Sequence, residues 1–290
     1  MRNRKWLKRL LIGLGAICIV LYIVFPAGMG VYATSRHPSD VGEPPEGFTE
    51  LDLTAADGVR LTAWYAPPRN GAAIILVHGA NGSREDVRAH AGMLAREGFG
   101  VLAYDQRGHG ESGGKGNAFG WQNSQDVGAA VSYLKSREDV TAIGALGLSM
   151  GGEVLLGAAS AYPDMRAIAA DGATHRTIED YLALSDRRNI LRSWTTRVMY
   201  GTVRCVSGQK PPLSMVKSIG EAADTSFLFI AAGDVPDEGE YGLRFVESAG
   251  ISGALWTVPG AGHTGGFSMC PAAYRERVTG FFRNALIGEE

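Results

Sequence analysis

Residues 147–151 read Gly147-Leu148-Ser149-Met150-Gly151, a serine with a glycine two positions to either side, and Gly152 extends the run. The residues before it, 143–148, form a short apolar run of the kind that makes a buried strand, and 151–161 read as a helix. A serine at so sharp a strand-to-helix turn is held in a strained conformation that lifts its hydroxyl above the sheet, while the flanking glycines leave room for the turn. The start of the following helix offers free N–H groups and a positive dipole end to a developing oxyanion. This is the setting of a nucleophile. A serine hydroxyl is weak without a base, so a histidine must follow. There are six histidines: His37 lies in a linker, His78 and His109 at the ends of earlier strands, His90 in a helix, and His175 at the start of a long insertion. Only His263, in Pro259-Gly260-Ala261-Gly262-His263-Thr264-Gly265-Gly266, follows the last strand on a loop flexible enough to return to Ser149.

An acid should orient that imidazole and stabilise its charged form. In chain order it belongs between serine and histidine, after the strand predicted at 227–232, where the loop is Gly233-Asp234-Val235-Pro236-Asp237-Glu238-Gly239-Glu240. Spacing does not choose cleanly among four carboxylates. Glu238 is favoured, with Asp237 and then Asp234 as alternatives; Glu240 reads as already inside the next helix, where an acid near the N-terminus is favourable in any case. An oxyanion hole needs a second N–H besides that of Met150. The turn Val77-His78-Gly79-Ala80-Asn81-Gly82-Ser83 supplies it, from Ala80 or alternatively Asn81.

The elements that must position these residues alternate. Residues 48–54 and 59–66 flank Ala56-Asp57-Gly58 as an antiparallel hairpin. Apolar runs at 72–77, 101–104, 143–148, 167–170, 227–232 and 254–258 read as strands covered on both faces, with helices at 84–97, 121–137, 151–161, 240–249 and 272–286. Such alternation implies a mostly parallel sheet with right-handed crossovers and helices on both faces. One interval is too long for a plain connection. Residues 174–222 intersperse Tyr181, Leu182, Leu184, Ile190, Leu191, Trp194, Val198 and Met199 with Arg187, Arg188, Arg192 and Arg197, which reads as a helical cap over the carboxyl edge of the sheet.

The chain has 290 residues and a formal net charge of −2, a composition that excludes disorder, collagen and coiled coil and gives no support to a nucleic-acid partner. The average hides two unlike parts. Residues 1–39 hold six of the 28 Lys and Arg and none of the 30 Asp and Glu, so they carry +6 and the remainder −8. After Arg2, Arg4, Lys5, Lys8 and Arg9 the chain is uncharged from Leu10 to Ser35, long enough for the roughly 20 residues of a membrane span. Residues 1–35 are thus predicted to be a signal-anchor with its basic end in the cytoplasm and the body outside. Cleavage after Val31-Tyr32-Ala33 is the alternative, leaving a secreted body in the same compartment. Residues 36–47 read as an extended linker clearing the membrane, and 48–290 as one domain turned away from an anionic surface by its charge. Cys205 and Cys270, far apart, are expected to be unpaired rather than bridged, and without a CxxC pair or His-rich spacing no metal or other cofactor is expected.

Taken together, His78-Gly79, Asp105-x-Arg107-Gly108-x-Gly110-x-Ser112, Gly147-x-Ser149-x-Gly151 and Pro259-Gly260-x-Gly262-His263 resemble the α/β-hydrolase superfamily over residues 48–286. The likeness is to bacterial membrane-anchored or secreted serine esterases and serine aminopeptidases. It implies the α/β-hydrolase fold and acyl transfer to water through an acyl-enzyme, on a small-molecule ester or an amide. The acidic loop departs from the common Gly-x-x-Asp spacing, and the cap carries no substrate-class motif. A peptidase, an acyltransferase or a non-catalytic membrane-tethered binding protein would be built on the same frame.

Overall fold

The computed structural model describes residues 2–184 and 190–288; Arg187 and Arg188 of the insertion, and residues 289–290, lie outside the described residues. The apolar N-terminus is one continuous helix, α1 (Arg2–Ile19), a π-helical turn Val20–Val24 and α2 (Phe25–Ala33). Its stretch Arg4–Ala33 is long and apolar enough to cross a membrane and is almost wholly exposed.

The segment that follows does not stand clear of the body. A short strand β1 (His37–Pro38) lies parallel to the loop strand at His109–Gly110, with His37 N–H donating to Gly108 O (2.7 Å) and Ser39 N–H to Gly110 O (3.2 Å). Farther on, Arg88 donates to Glu43 O at 2.7 Å. The expected linker is a strap instead. The bonds that hold it run largely through the backbone and leave no side-chain pattern to read.

The body then runs β2 (Thr49–Thr54), β3 (Arg60–Ala66), β4 (Ala72–Val77), a 3₁₀ turn Arg84–Val87, α3 (Arg88–Arg96), β5 (Gly100–Tyr104), β6 (His109–Gly110), α4 (Ser124–Lys135), β7 (Ala142–Leu148), α5 (Met150–Ala158) and β8 (Met165–Asp171). After it come α6 (Ile178–Leu182), α7 (Ile190–Ser207), α8 (Met215–Glu221), β9 (Ser226–Ala232), α9 (Pro236–Ala249), β10 (Gly253–Val258), α10 (Gly266–Met269) and α11 (Pro271–Leu286). Among the described residues eight strands form one sheet, in the order β10-β9-β8-β7-β4-β5-β3-β2. β2 and β3, and β3 and β5, pair antiparallel, and the other neighbours parallel. Every residue of β4 and β7 is buried, which is why these strands are continuous apolar runs rather than alternations. Successive side chains still point to opposite faces: Ile75 and Val77 join Leu155 and Phe245 on one side, while Ile74 and Leu76 join Phe99 and Phe282 on the other. Burying each of these contributes about 1.5–3 kcal/mol.

From β4 the chain goes first to β5 on one side and then to β7 on the other. The strand order therefore reverses between β4 and β7, and ligands of open α/β sheets bind beyond the strand ends at such a reversal. One helix begins a full turn earlier than its periodicity suggests. α9 starts at Pro236, four residues before 240, because proline is pre-set for a first helical turn and Asp237 and Glu238 suit the positive dipole end there. In the insertion, α6 and α7 form the cap, but α8 packs on α5 and α9 as part of the helix layer below. Cys205 and Cys270 are unbridged.

The loop after β5 is held by ionic contacts that are buried with it. Arg84 and Asp105 are both fully buried; the guanidinium pairs with the Asp105 carboxylate and reaches Glu50 and Glu111, and the carboxylate also accepts the N–H groups of Arg84 (2.6 Å) and Glu111 (2.9 Å). Removing one partner of a buried ion pair leaves the other uncompensated. Asp105→Ala is therefore expected to cost about 3–5 kcal/mol of stability, read from denaturant midpoints; a loss below about 1 kcal/mol would mean the pair is not holding this loop.

Candidate active site

Ser149 stands at the end of β7 with φ 50° and ψ −121°, a left-handed conformation rare for a residue with a side chain. The glycines around it are required by close approach. A Cβ on Gly147 would lie 2.4 Å from the backbone of Gly151, and one on Gly151 would lie 2.4 Å from Val77 O at the end of β4. The start of α5 is thus pressed against two strand ends, and Ser149 N–H is fixed to Asp171 O at 2.7 Å.

The loop after β10 returns to this point. His263 Nε2 lies 2.8 Å from Ser149 Oγ, and its Nδ1 lies 2.6 Å from Glu238 Oε1. Gly172 (φ +74°), following β8, leaves space for the ring, since a Cβ there would fall 3.0 Å from His263 Cε1. Glu238 is 1% exposed, and its other oxygen accepts Ala232 N–H at 2.7 Å. Of the remaining candidates, Asp237 turns outward to the cap, accepting from Arg192 Nη2 at 2.7 Å, and Asp234 is exposed in the loop. Glu240 lies farther along α9. The histidine and the serine hydroxyl are thus placed for proton transfer, with one carboxylate behind the ring.

The turn after β4 runs alongside the serine, where a Cβ on Gly79 would be 3.5 Å from Ser149 Cβ. His78 holds that turn. Its Nε2 accepts Gln106 N–H (3.0 Å), so Nδ1 carries the proton and donates to Gly79 O at 2.7 Å. Burial pushes the His78 pKa down to about 4, which keeps the ring neutral. A planar peptide has its C=O and N–H on opposite edges, so drawing Gly79 O toward His78 turns Ala80 N–H the other way. Asn81, the alternative donor, has φ 58°. Gln106 in turn donates to His78 O (2.7 Å) and accepts from Asn123 (2.5 Å). Asp105 belongs to a motif visible in the sequence, but residue type does not reveal Gln106, Asn123 or the Arg84 partner of Asp105, because polar residues do not announce their burial.

Two more carboxyl groups surround the site. Asp171, at the end of β8, accepts from Tyr274 Oη at 2.9 Å, and burial pushes it up to about 7. Glu153, one turn into α5, accepts Thr174 N–H and Oγ1 at 3.1 Å and is likewise pushed up to about 7 by burial. The pKa of His263 is raised, chiefly by its hydrogen bond to Glu238, against the opposing effect of burial. Among the described residues no three His, Cys, Asp or Glu side chains are grouped as metal ligands.

The sheet order, the serine turn after β7 and the histidine after β10 give the chain the α/β-hydrolase fold. Residues 68–207 match the model of the serine aminopeptidase family S33. The chain is similar to the YfhR protein of Escherichia coli K12, 29% identical over 155 residues, covering 47% of this chain and 54% of that one. It also resembles a thiohydrolase of Aspergillus aculeatus, 31% identical over 118 residues, covering 39% of this chain and 37% of the other. The chain spans about half the length of the curated relatives it matches. Among solved structures, the Pyrococcus furiosus esterase PF2001 has the same fold, with TM-score 0.69 and 23% identity over 87% of this chain and 98% of that one. A dienelactone hydrolase from Anabaena variabilis aligns with TM-score 0.61 and 17% identity, over 83% of this chain and all (100%) of the other.

Proposed function

We propose that the protein is a serine hydrolase that cleaves a carboxylic ester through an acyl-enzyme. The observation that carries this is the run of contacts Ser149 Oγ, His263 Nε2, His263 Nδ1 and Glu238 Oε1, at 2.8 and 2.6 Å. Ser149 Oγ attacks the acyl carbon as His263 takes its proton; the C–O bond to the alcohol then breaks, and His263 returns the proton to the departing alkoxide. Water, deprotonated by the same imidazole, cleaves the acyl-serine to the carboxylic acid and regenerates Ser149. The N–H groups of Met150 and Ala80 stabilise the tetrahedral oxyanion of both steps. Glu238 holds the ring and stabilises its charged form. The S33 match makes an aminoacyl amide the second substrate class. A panel of p-nitrophenyl esters, thioesters and aminoacyl amides separates the two: turnover of esters supports the reading, and amide cleavage alone transfers it to a peptidase.

His263 acts as base only when neutral. Because its hydrogen bond to Glu238 raises its pKa above 6.5, kcat/KM is expected to fall as pH drops through a value above 6.5, and Glu238→Gln should move that limb down. An acid limb at or below 6.5 in the unaltered protein contradicts this. For stability the sign is opposite: a raised folded pKa means that the pair stabilises fully below 6.5 and loses that contribution as pH rises through the folded value.

The N-terminal helix is assigned as a membrane anchor with its basic end, Arg4 to Arg9, on the cytoplasmic side and the body outside. Protease protection in intact cells tests the assignment: digestion of the body from outside supports it, and full protection reverses it.

A further inference from the structure

The cap helix α7 (Ile190–Ser207) has three differently occupied sides. Thr196, Tyr200 and Val203 are buried, the last two with Ala118 and Trp121 of the body. A second side packs on the N-terminal helix, where Trp194 Nε1 donates to Tyr22 O at 3.1 Å, in the π-helical turn, and Gly30 comes so close that a Cβ would lie 2.6 Å from Met199 O. The third side carries Arg197 and Arg204, both exposed. At its start α7 also exposes large apolar side chains, Ile190 at 84%, Leu191 at 51% and Trp194 at 51%. In the π-helical turn that α7 packs on, Leu21, Ile23 and Val24 are exposed as well. Both helices of the pair thus leave large apolar side chains uncovered.

The direction of the pairing says what covers those side chains. Tyr22 lies opposite Trp194, and Gly30 opposite Met199 and Thr202, so the two helices run parallel. The start of α7 therefore points down the N-terminal helix toward its basic end. A span of about 20 residues begun at Leu10, the first residue after the basic cluster, ends near Met29, which puts Tyr22 and Trp194 about 10 Å inside the boundary. With the strap at His37–Ser39 holding the body to the end of α2, α7 has no freedom to lift away. The net negative body alone would avoid anionic headgroups, but Arg197 and Arg204 give this one side the opposite sign.

We propose that α7 is seated in the leaflet nearest the body, with Ile190, Leu191 and Trp194 among the acyl chains, and that the Ser149 site draws an amphiphilic, long-chain acyl ester from that leaflet. The substrate half rests on the hydrolase reading above. α7 is joined to the site at two places. Arg192 pairs with Asp237, the neighbour of Glu238. The rings of Phe119 and Trp121 lie 5.7 and 6.1 Å from that of Tyr200, in the segment whose Asn117 donates to Met150 Sδ. An acyl chain leaving the bilayer beside α7 thus arrives at the carboxyl edge of the sheet.

The test uses the full chain in phosphatidylcholine and phosphatidylglycerol vesicles. Brominated acyl chains are expected to quench the fluorescence share that Trp194→Phe removes. Leu191→Glu and Ile190→Glu should lower turnover of a vesicle-borne long-chain ester by about tenfold or more while leaving p-nitrophenyl butyrate in solution unchanged. Absence of Trp194 quenching, or equal turnover of the vesicle substrate by parent and variants, overturns the seating. Concentration-dependent dimers in detergent that the same glutamates abolish would give the face to a second copy and overturn it too. If neither ester is turned over and Ser149 takes no fluorophosphonate, the hydrolase reading and the substrate half fall together, and the quenching alone decides where α7 sits.

Discussion

Ser149→Ala is expected to lower kcat/KM for p-nitrophenyl butyrate by about 10⁴- to 10⁶-fold, because loss of the nucleophile removes the covalent route and leaves only the oxyanion donors and substrate binding. The fold should be unaffected. Alanine keeps the Cβ that already occupies φ 50° at this turn, so it adds no backbone strain, and the hydroxyl removed is hydrogen-bonded to His263, half-exposed on its loop. An unchanged thermal midpoint with lost turnover is the expected pair of results. Turnover retained to within tenfold would remove Ser149 from the chemistry.

Glu238→Gln should cost about 10³- to 10⁴-fold in kcat, with little change in KM, through a change of tautomer. In the unaltered site Glu238 accepts both Ala232 N–H and the proton on His263 Nδ1. A glutamine has one accepting oxygen and one donating amide group. With the oxygen kept on Ala232 N–H, the amide faces His263 and donates to Nδ1, which drives the ring proton to Nε2, where it blocks acceptance from Ser149. Asp237→Asn and Asp234→Asn should each change kcat by less than about threefold, since the first ends an exposed contact with Arg192 and the second alters an exposed loop side chain. A large loss at either, with Glu238→Gln active, would reassign the acid.

The difference between these carboxylates shows what the sequence alone could resolve. The glycines beside Ser149 are legible because close backbone approach admits nothing larger, and His263 because no other histidine follows the last strand. The acid was ambiguous because the apolar periodicity of α9 begins after its actual start. Once Pro236 opens the helix, adjacent residues point about 100° apart, so Glu238 turns in and Asp237 turns out. The strap at 36–47 is not legible in the sequence because it is held largely by backbone groups, nor is the His78–Gln106–Asn123 network, because burial of polar side chains is decided by tertiary packing. The parallel sheet and its helices follow from apolar runs, while the sequence does not separate α8 from the cap, because both fall within the same long interval.

Covalent trapping tests the role of Ser149 most directly. Incubating the full-length protein with a fluorophosphonate, digesting it and locating the adduct by mass spectrometry should give one modification, on Ser149, lost in Ser149→Ala and slowed as the pH falls below the raised pKa of His263. An adduct on another residue, or none while esters are still hydrolysed, would contradict the account.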